Sequence, residues 1–117
     1  MAEYEVTPSA VAANLAHLGR ELAALTDGLG DLEHRAVNAR EDYVLAHAKA
    51  VLRSSGTVDE RKAQALVDTH DERLSAETAD ALVRQRRAQI ATLKTRVDIG
   101  RSVGSIVKSE IELDKVR

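Results

Sequence analysis

Apolar residues recur along the first half of the chain in steps of four and three: Val11, Leu15, Leu18, Leu22, Leu25, Leu29, Leu32, Ala36, Ala39, Tyr43, Ala46 and Ala50. A spacing that averages 3.5 residues keeps one face of an α-helix turned toward a partner, so the pattern predicts a helix with a heptad seam. Thr7-Pro8 marks its start, because Thr accepts from free amides and Pro at the first helical position has no amide to satisfy. Residues 1–7 read as a lead and 8–54 as the helix. The seam is Leu-rich at first and Ala-rich later, so a neighbouring helix should approach more closely near Ala36–Ala50. Asp27-Gly28-Leu29-Gly30-Asp31 lowers helix propensity, each Gly costing about 1 kcal/mol against Ala. A turn capped by Asp31 is one reading of that stretch. The seam crosses it in phase, which favours a continuous helix softened at 27–31.

Ser54-Ser55-Gly56 breaks the pattern, and Thr57-Val58-Asp59-Glu60 then has the form of a capping box. The spacing predicts a turn at 55–57, a second helix over 58–112 and a tail at 113–117. Two apolar phases compete in this helix. Ala63, Leu66, Val67, His70, Leu74, Ala81 and Leu82 form one. Arg86, Ile90, Leu93, Val97, Gly100, Gly104, Val107 and Ile111 form the other. The change near 82–90 implies a stutter, or two ends that face different partners. Gly100 and Gly104, one turn apart, suit close packing against a second helix.

The expected fold is therefore all-α: one domain over residues 1–117, an elongated antiparallel helical hairpin, coiled-coil-like. At 1.5 Å per residue each helix would be roughly 70–80 Å long. A two-helix layer leaves much of each helix uncovered, so the chain is expected to self-associate as a homo-oligomer. Packing is assigned to Leu15, Leu18, Leu22, Leu25, Leu29, Leu32, Gly100 and Gly104.

Composition agrees and narrows the chemistry. Among 117 residues there are 19 Ala, 13 Leu, 12 Val and 4 Ile, with no Phe, Trp or Cys and a single Pro. Without cysteine there is no disulfide, thiolate metal site or cysteine nucleophile. No stretch is apolar enough to cross a bilayer. Met1–Glu5 is acidic and lacks an apolar signal core, so a cytoplasmic protein is expected. Gly100-Arg101-Ser102-Val103-Gly104 spells the nucleophile-elbow pattern, but helix precedes it and no His follows residue 70. None of His17, His34, His47 and His70 has a Glu three residues before it, the spacing used by helical di-metal sites. No catalytic residue, metal, cofactor, membrane or small-molecule substrate is expected, and the chain reads as a non-enzyme.

Charge is uneven. Residues 1–56 carry −3, residues 57–83 carry −4 and residues 84–117 carry +5. Between 84 and 108, Arg84, Arg86, Arg87, Lys94, Arg96, Arg101 and Lys108 stand against one acid, Asp98. A cationic helix face of this kind can track a phosphate backbone. It can equally be a solvated face, or meet the acidic 57–83 stretch of a neighbouring copy. Without Phe or Trp, base stacking is a poor main binding mode, so any binding would be backbone-driven. The candidate phosphate contacts are Arg84, Arg86, Arg87, Lys94, Arg96 and Arg101.

The segment Arg96-Val97-Asp98-Ile99-Gly100-Arg101-Ser102-Val103-Gly104, with Glu110 beyond and Leu82–Arg87 and Leu93-Lys94 before it, resembles small all-helical phage proteins. In layout the chain is similar to UvsY-like recombination mediators. That resemblance implies an oligomer that binds single-stranded DNA and helps load a recombinase. The leading expectation is a non-enzymatic phage nucleic-acid accessory protein. The alternative is a structural or interaction protein, either a phage assembly factor or a coiled-coil adaptor for a host or phage protein.

Overall fold

A computed structural model describes residues 6–116, and every described residue outside short connections is helical. Three helices follow one another: α1 at Pro8–Arg53, α2 at Val58–Asp68 and α3 at His70–Val116. The all-α hairpin expected from the spacing is the fold. The first five residues of the expected lead, including the segment without a signal core, lie outside the described residues, as does Arg117. Among the described residues no helix is long and apolar enough to cross a membrane.

Local chemistry accounts for each boundary. The Ala10 amide donates to Thr7 Oγ1 at 3.1 Å and the Val11 amide to Thr7 O at 3.0 Å, so Thr7 caps α1 with Pro8 behind it. At the other end Ser54 Oγ donates to Ala50 O (2.8 Å). Arg61 donates through Nε and Nη2 to Val51 O at 3.2 and 3.0 Å, closing carbonyls the helix leaves open. Gly56 then takes φ 108°, a conformation that side chains strain. Thr57 accepts from the Glu60 amide at 3.2 Å and starts α2, with Asp59 and Glu60 in its first turn. Thr57→Ala should lose about 1 kcal/mol, read as a lower midpoint in urea unfolding.

α1 runs without interruption through Gly28 and Gly30. A Cβ built on Gly30 meets nothing within 4 Å. Gly30→Ala should therefore raise stability by roughly 0.5–1 kcal/mol, measurable in the same titration.

Two features differ from the sequence reading. The second helix is divided at Thr69, whose amide and Oγ1 both donate to Ala65 O (3.0 and 2.6 Å). Helical bonding resumes at once, with the Arg73 amide on Thr69 O. The helix also continues through the expected 113–117 tail as far as Val116.

The helices form two compact units. One comprises residues 6–27 with 88–116, and the other is Gly28–Arg87. In the first unit the start of α1 packs antiparallel on the end of α3. A Cβ on Gly100 would lie 2.8 Å from Leu15 Cδ2, and one on Gly104 would lie 3.2 Å from Val11 Cγ1. Four residues down α1 match four residues up α3, the signature of an antiparallel register. The glycine notches admit side chains of α1, the steric use expected of a small-residue pair. Leu18, Ile90, Leu93 and Val107 are buried here, with Leu15, Leu22 and Leu25 half-buried.

In the second unit, small residues meet. Ala50 and Ala65 are both 0% exposed, and Ala36, Ala76, Val83 and Thr69 are also buried. An alanine is fully occluded only where the facing helix comes close, as the Ala-rich half of the α1 seam requires. Leu29 and Leu32 are half-buried. Ion pairs flank this seam: Arg40 Nη2 to Asp80 Oδ1 at 2.6 Å, and Arg87 Nη2 to Glu33 Oε1 at 3.4 Å. Seven residues separate Glu33 from Arg40 and seven separate Asp80 from Arg87, so both pairs obey one heptad register.

All twelve seam positions of α1 are at least half-buried. For the return helices the expected stripe is corrected: Ala63, Leu66, Val67, His70, Leu74, Ala81 and Leu82 are exposed. The inward positions are instead Ala65, Thr69, Glu72, Ala76, Ala79 and Val83. They continue the spacing of Arg86, Ile90, Leu93, Val97, Gly100, Gly104 and Val107 in unbroken steps of four and three. There is no stutter. Close approach to the alanines of α1 leaves room for alanine and threonine but not for leucine.

Candidate nucleic-acid interface

The six candidate phosphate contacts fall in both units, and the surroundings of each decide what it can do. Arg84, Arg86 and Arg87 belong to the Gly28–Arg87 unit. Arg86 occupies an inward seam position and is half-buried, and a Cβ on Gly28 would lie 2.6 Å from its Nη1. Its guanidinium lies across the glycine of α1, which explains why a residue without a side chain sits there. Arg86 is thus corrected from a solvent-facing contact to a packing residue. Arg87 is exposed but engaged with Glu33. Arg84 is exposed and lines a shallow depression whose walls include Glu33 and Asp80. Carboxylates within this cluster oppose the approach of a second anion.

Lys94, Arg96 and Arg101 belong to the other unit and are exposed, as is Lys108. Among the described residues none of these four makes an ion pair. Arg87, Lys94, Arg101 and Lys108 follow at seven-residue intervals and so share one column beside the seam. On α1 the matching column reads Ala12, Gly19, Thr26, Glu33 and Arg40. In the Gly28–Arg87 unit that column supplies the carboxylate of Glu33. In the unit that carries Lys94, Arg101 and Lys108 it supplies only Thr26, Gly19 and Ala12, all exposed, with nothing within 4 Å of a Cβ on Gly19. The three cations therefore border a ledge of small uncharged residues. Lys108, part of the basic run but absent from the initial candidates, completes the row. Its signal was the seven-residue interval, legible only once the seam fixes which column flanks it.

Arg96 stands apart from the row. It lines a groove of about 390 Å³ above Gly100, with Val11, Leu18, Ile99 and Val103 below and Asn14, His17 and Glu21 at the rim. His17 Nε2 lies 3.0 Å from Glu21 Oε1, one helical turn on, with both side chains open to solvent. Among the described residues, no three His, Asp or Glu side chains come together as metal ligands. Ser102, the serine of the elbow-like pattern, sits mid-helix and donates to Asp98 O at 3.1 Å. A strand-to-helix elbow is absent there.

Comparison with protein-family models, with curated proteins and with solved structures returned no match. The site is therefore read from its own geometry.

Proposed function

We propose that this chain is a non-enzymatic protein that binds the phosphate backbone of single-stranded nucleic acid through Lys94, Arg101 and Lys108. The observation that carries the reading is the row itself: three exposed cations in one column, none in an ion pair among the described residues, beside a ledge of α1 with no acidic side chain. Small ledge residues let a sugar–phosphate chain come close, and long cationic side chains reach over it. Two Tyr are the whole aromatic complement of the chain, so recognition rests on charge and tolerates sequence. Arg96, Arg101 and the glycines of the Arg96–Gly104 segment are where the likeness to UvsY-like proteins is carried. A phage recombination or replication mediator is the specific form this function would take. The expected result is salt-dependent binding to a labelled single-stranded oligonucleotide, read by fluorescence anisotropy at two ionic strengths and equal for unrelated sequences. Absence of binding at low salt would hand the function to the second reading, an interaction protein. That reading is favoured by the exposed Leu74, Leu82, Ile99 and Ile106 of α3.

A further inference from the structure

The unit that carries the cation row has a second side. Ile99, Ile106 and Leu113 follow at seven-residue intervals along α3 and are all more than half exposed, with Val103 half-buried beside them. At about 100° per residue this column lies nearly opposite Lys94, Arg101 and Lys108 on the helix. The outward face of a packed helix normally carries the charges. Here the strip that steps by four and three from Thr92 to Leu113 holds one charge of each sign, Arg96 and Glu110. Among the described residues neither makes an ion pair. Thr92 on the strip, and Thr95, Ser102 and Ser109 at its border, each donate their hydroxyl to the carbonyl four residues back, at 3.0 to 3.1 Å. Those hydroxyls keep a hydrogen-bond partner when water leaves, so covering this face strands none of these donors. Every residue of the strip belongs to one compact unit.

The strip is its own complement when reversed. Against an antiparallel copy centred on Val103, Ile99 faces Ile106, Arg96 faces Glu110 and Val103 meets itself. Twofold symmetry makes each unlike contact twice. The charges off the strip agree with this register. Lys94 falls level with Glu112 of the second copy, Asp98 with Lys108, and Arg101 with the uncharged Ser105, so no like charges of residues 92–113 stand level. A parallel copy in register would set every charge against itself. Moving the antiparallel copy by one heptad either way parts Arg96 from Glu110. Glu21, across the groove above Gly100 from Arg96, is held by His17 at 3.0 Å. Arg96 is thereby left for Glu110 of the second copy. Ile99 and Val103 line the same groove, so an apolar recess adjoins the contact. We infer that residues 92–113 of α3 form a self-association surface, on which the same segment of a second copy lies antiparallel with Ile99 against Ile106 and Arg96 against Glu110. The contact runs about 30 Å along the helix at 1.5 Å per residue. It lies away from the Lys94, Arg101, Lys108 column and does not rest on nucleic-acid binding.

The unmodified full-length chain should sediment at twice the chain mass. Arg96→Glu and Glu110→Arg should each shift it to the chain mass, with helical circular dichroism unchanged because both side chains are exposed. The chain carrying both substitutions should return to twice the chain mass, since each copy then supplies both members of the swapped pair. Ile106→Asp should also give the chain mass with helicity intact. The absence of cysteine makes the register readable by cross-linking. Ile99→Cys and Ile106→Cys, prepared separately, then mixed and oxidised, should form a disulfide-linked dimer that neither forms alone. Self-cross-linking of either variant alone would mean a parallel pairing and overturn the register. A chain-mass species at all concentrations, or a dimer that Ile106→Asp and the single charge reversals leave intact, would overturn the proposal and leave the strip to another protein.

Discussion

A Leu18→Asp variant should lose most of its helical circular dichroism signal, with hydrogen exchange accelerated first in residues 8–27 and 88–116. Leu18 is 6% exposed and shares its unit with Leu93, also 6% exposed. Truncating a buried leucine costs about 2–5 kcal/mol, and the upper end needs a site that cannot collapse. The aspartate adds the cost of taking a carboxylate out of water in an apolar seam, several kcal/mol where no cation pairs with it. Domains of this size hold only about 5–15 kcal/mol in reserve. Long helices also draw most of their stability from a packed face rather than from propensity. Ala24→Asp, on the exposed side of the same helix, should leave the signal unchanged. Equal behaviour of the two variants would mean that the seam contributes nothing to the fold.

Reversing Lys94, Arg101 and Lys108 to Glu together should abolish binding to single-stranded DNA while leaving helicity intact, since all three are exposed. With three phosphates neutralised, log K should fall against log salt with a slope near −2, from roughly −0.7 per contact on single strands. A fourfold rise in salt then weakens the native protein about 20-fold. Single replacements by Gln should each reduce the slope by about one contact, for every sequence alike. Arg87→Gln is the informative control. It lies one heptad before Lys94 in the same column, but its guanidinium is held by Glu33. It should change affinity less than twofold. If Arg87→Gln costs as much as Lys94→Gln, the ion pair does not withdraw the charge, and the cationic surface extends across residues 84–108 as the raw sequence suggests.

Arg86 shows why charge counting alone misplaces such a site. In sequence it is one of three arginines in four residues, indistinguishable from Arg84 and Arg87. Its place in the seam over Gly28 appears only when the phase of the return helix is known. Reversal of Arg86 to Glu would disturb packing as well as charge, so it cannot report on phosphate binding.

The chain dictated its own first helix. Twelve positions at steps of four and three, a Thr-Pro start and a phase that survives two glycines leave one solution, because helix periodicity is a local property. The turn was equally legible, since Gly56, Thr57 and Glu60 meet requirements set by neighbours three or four residues away. The return helix was a different matter. Leu66, Leu74 and Leu82 outweigh Ala65, Ala76 and Ala79 on any scale of apolarity, and the smaller residues go inside. What decides this is the distance between two helices, fixed by Ala36 and Ala50 fifteen or more residues away in the chain. That distance excludes leucine from the seam and leaves it on the surface. The same register decided which cations have a carboxylate opposite and which face a bare ledge. Both are pairings between residues far apart in sequence, and only the tertiary structure brings them side by side.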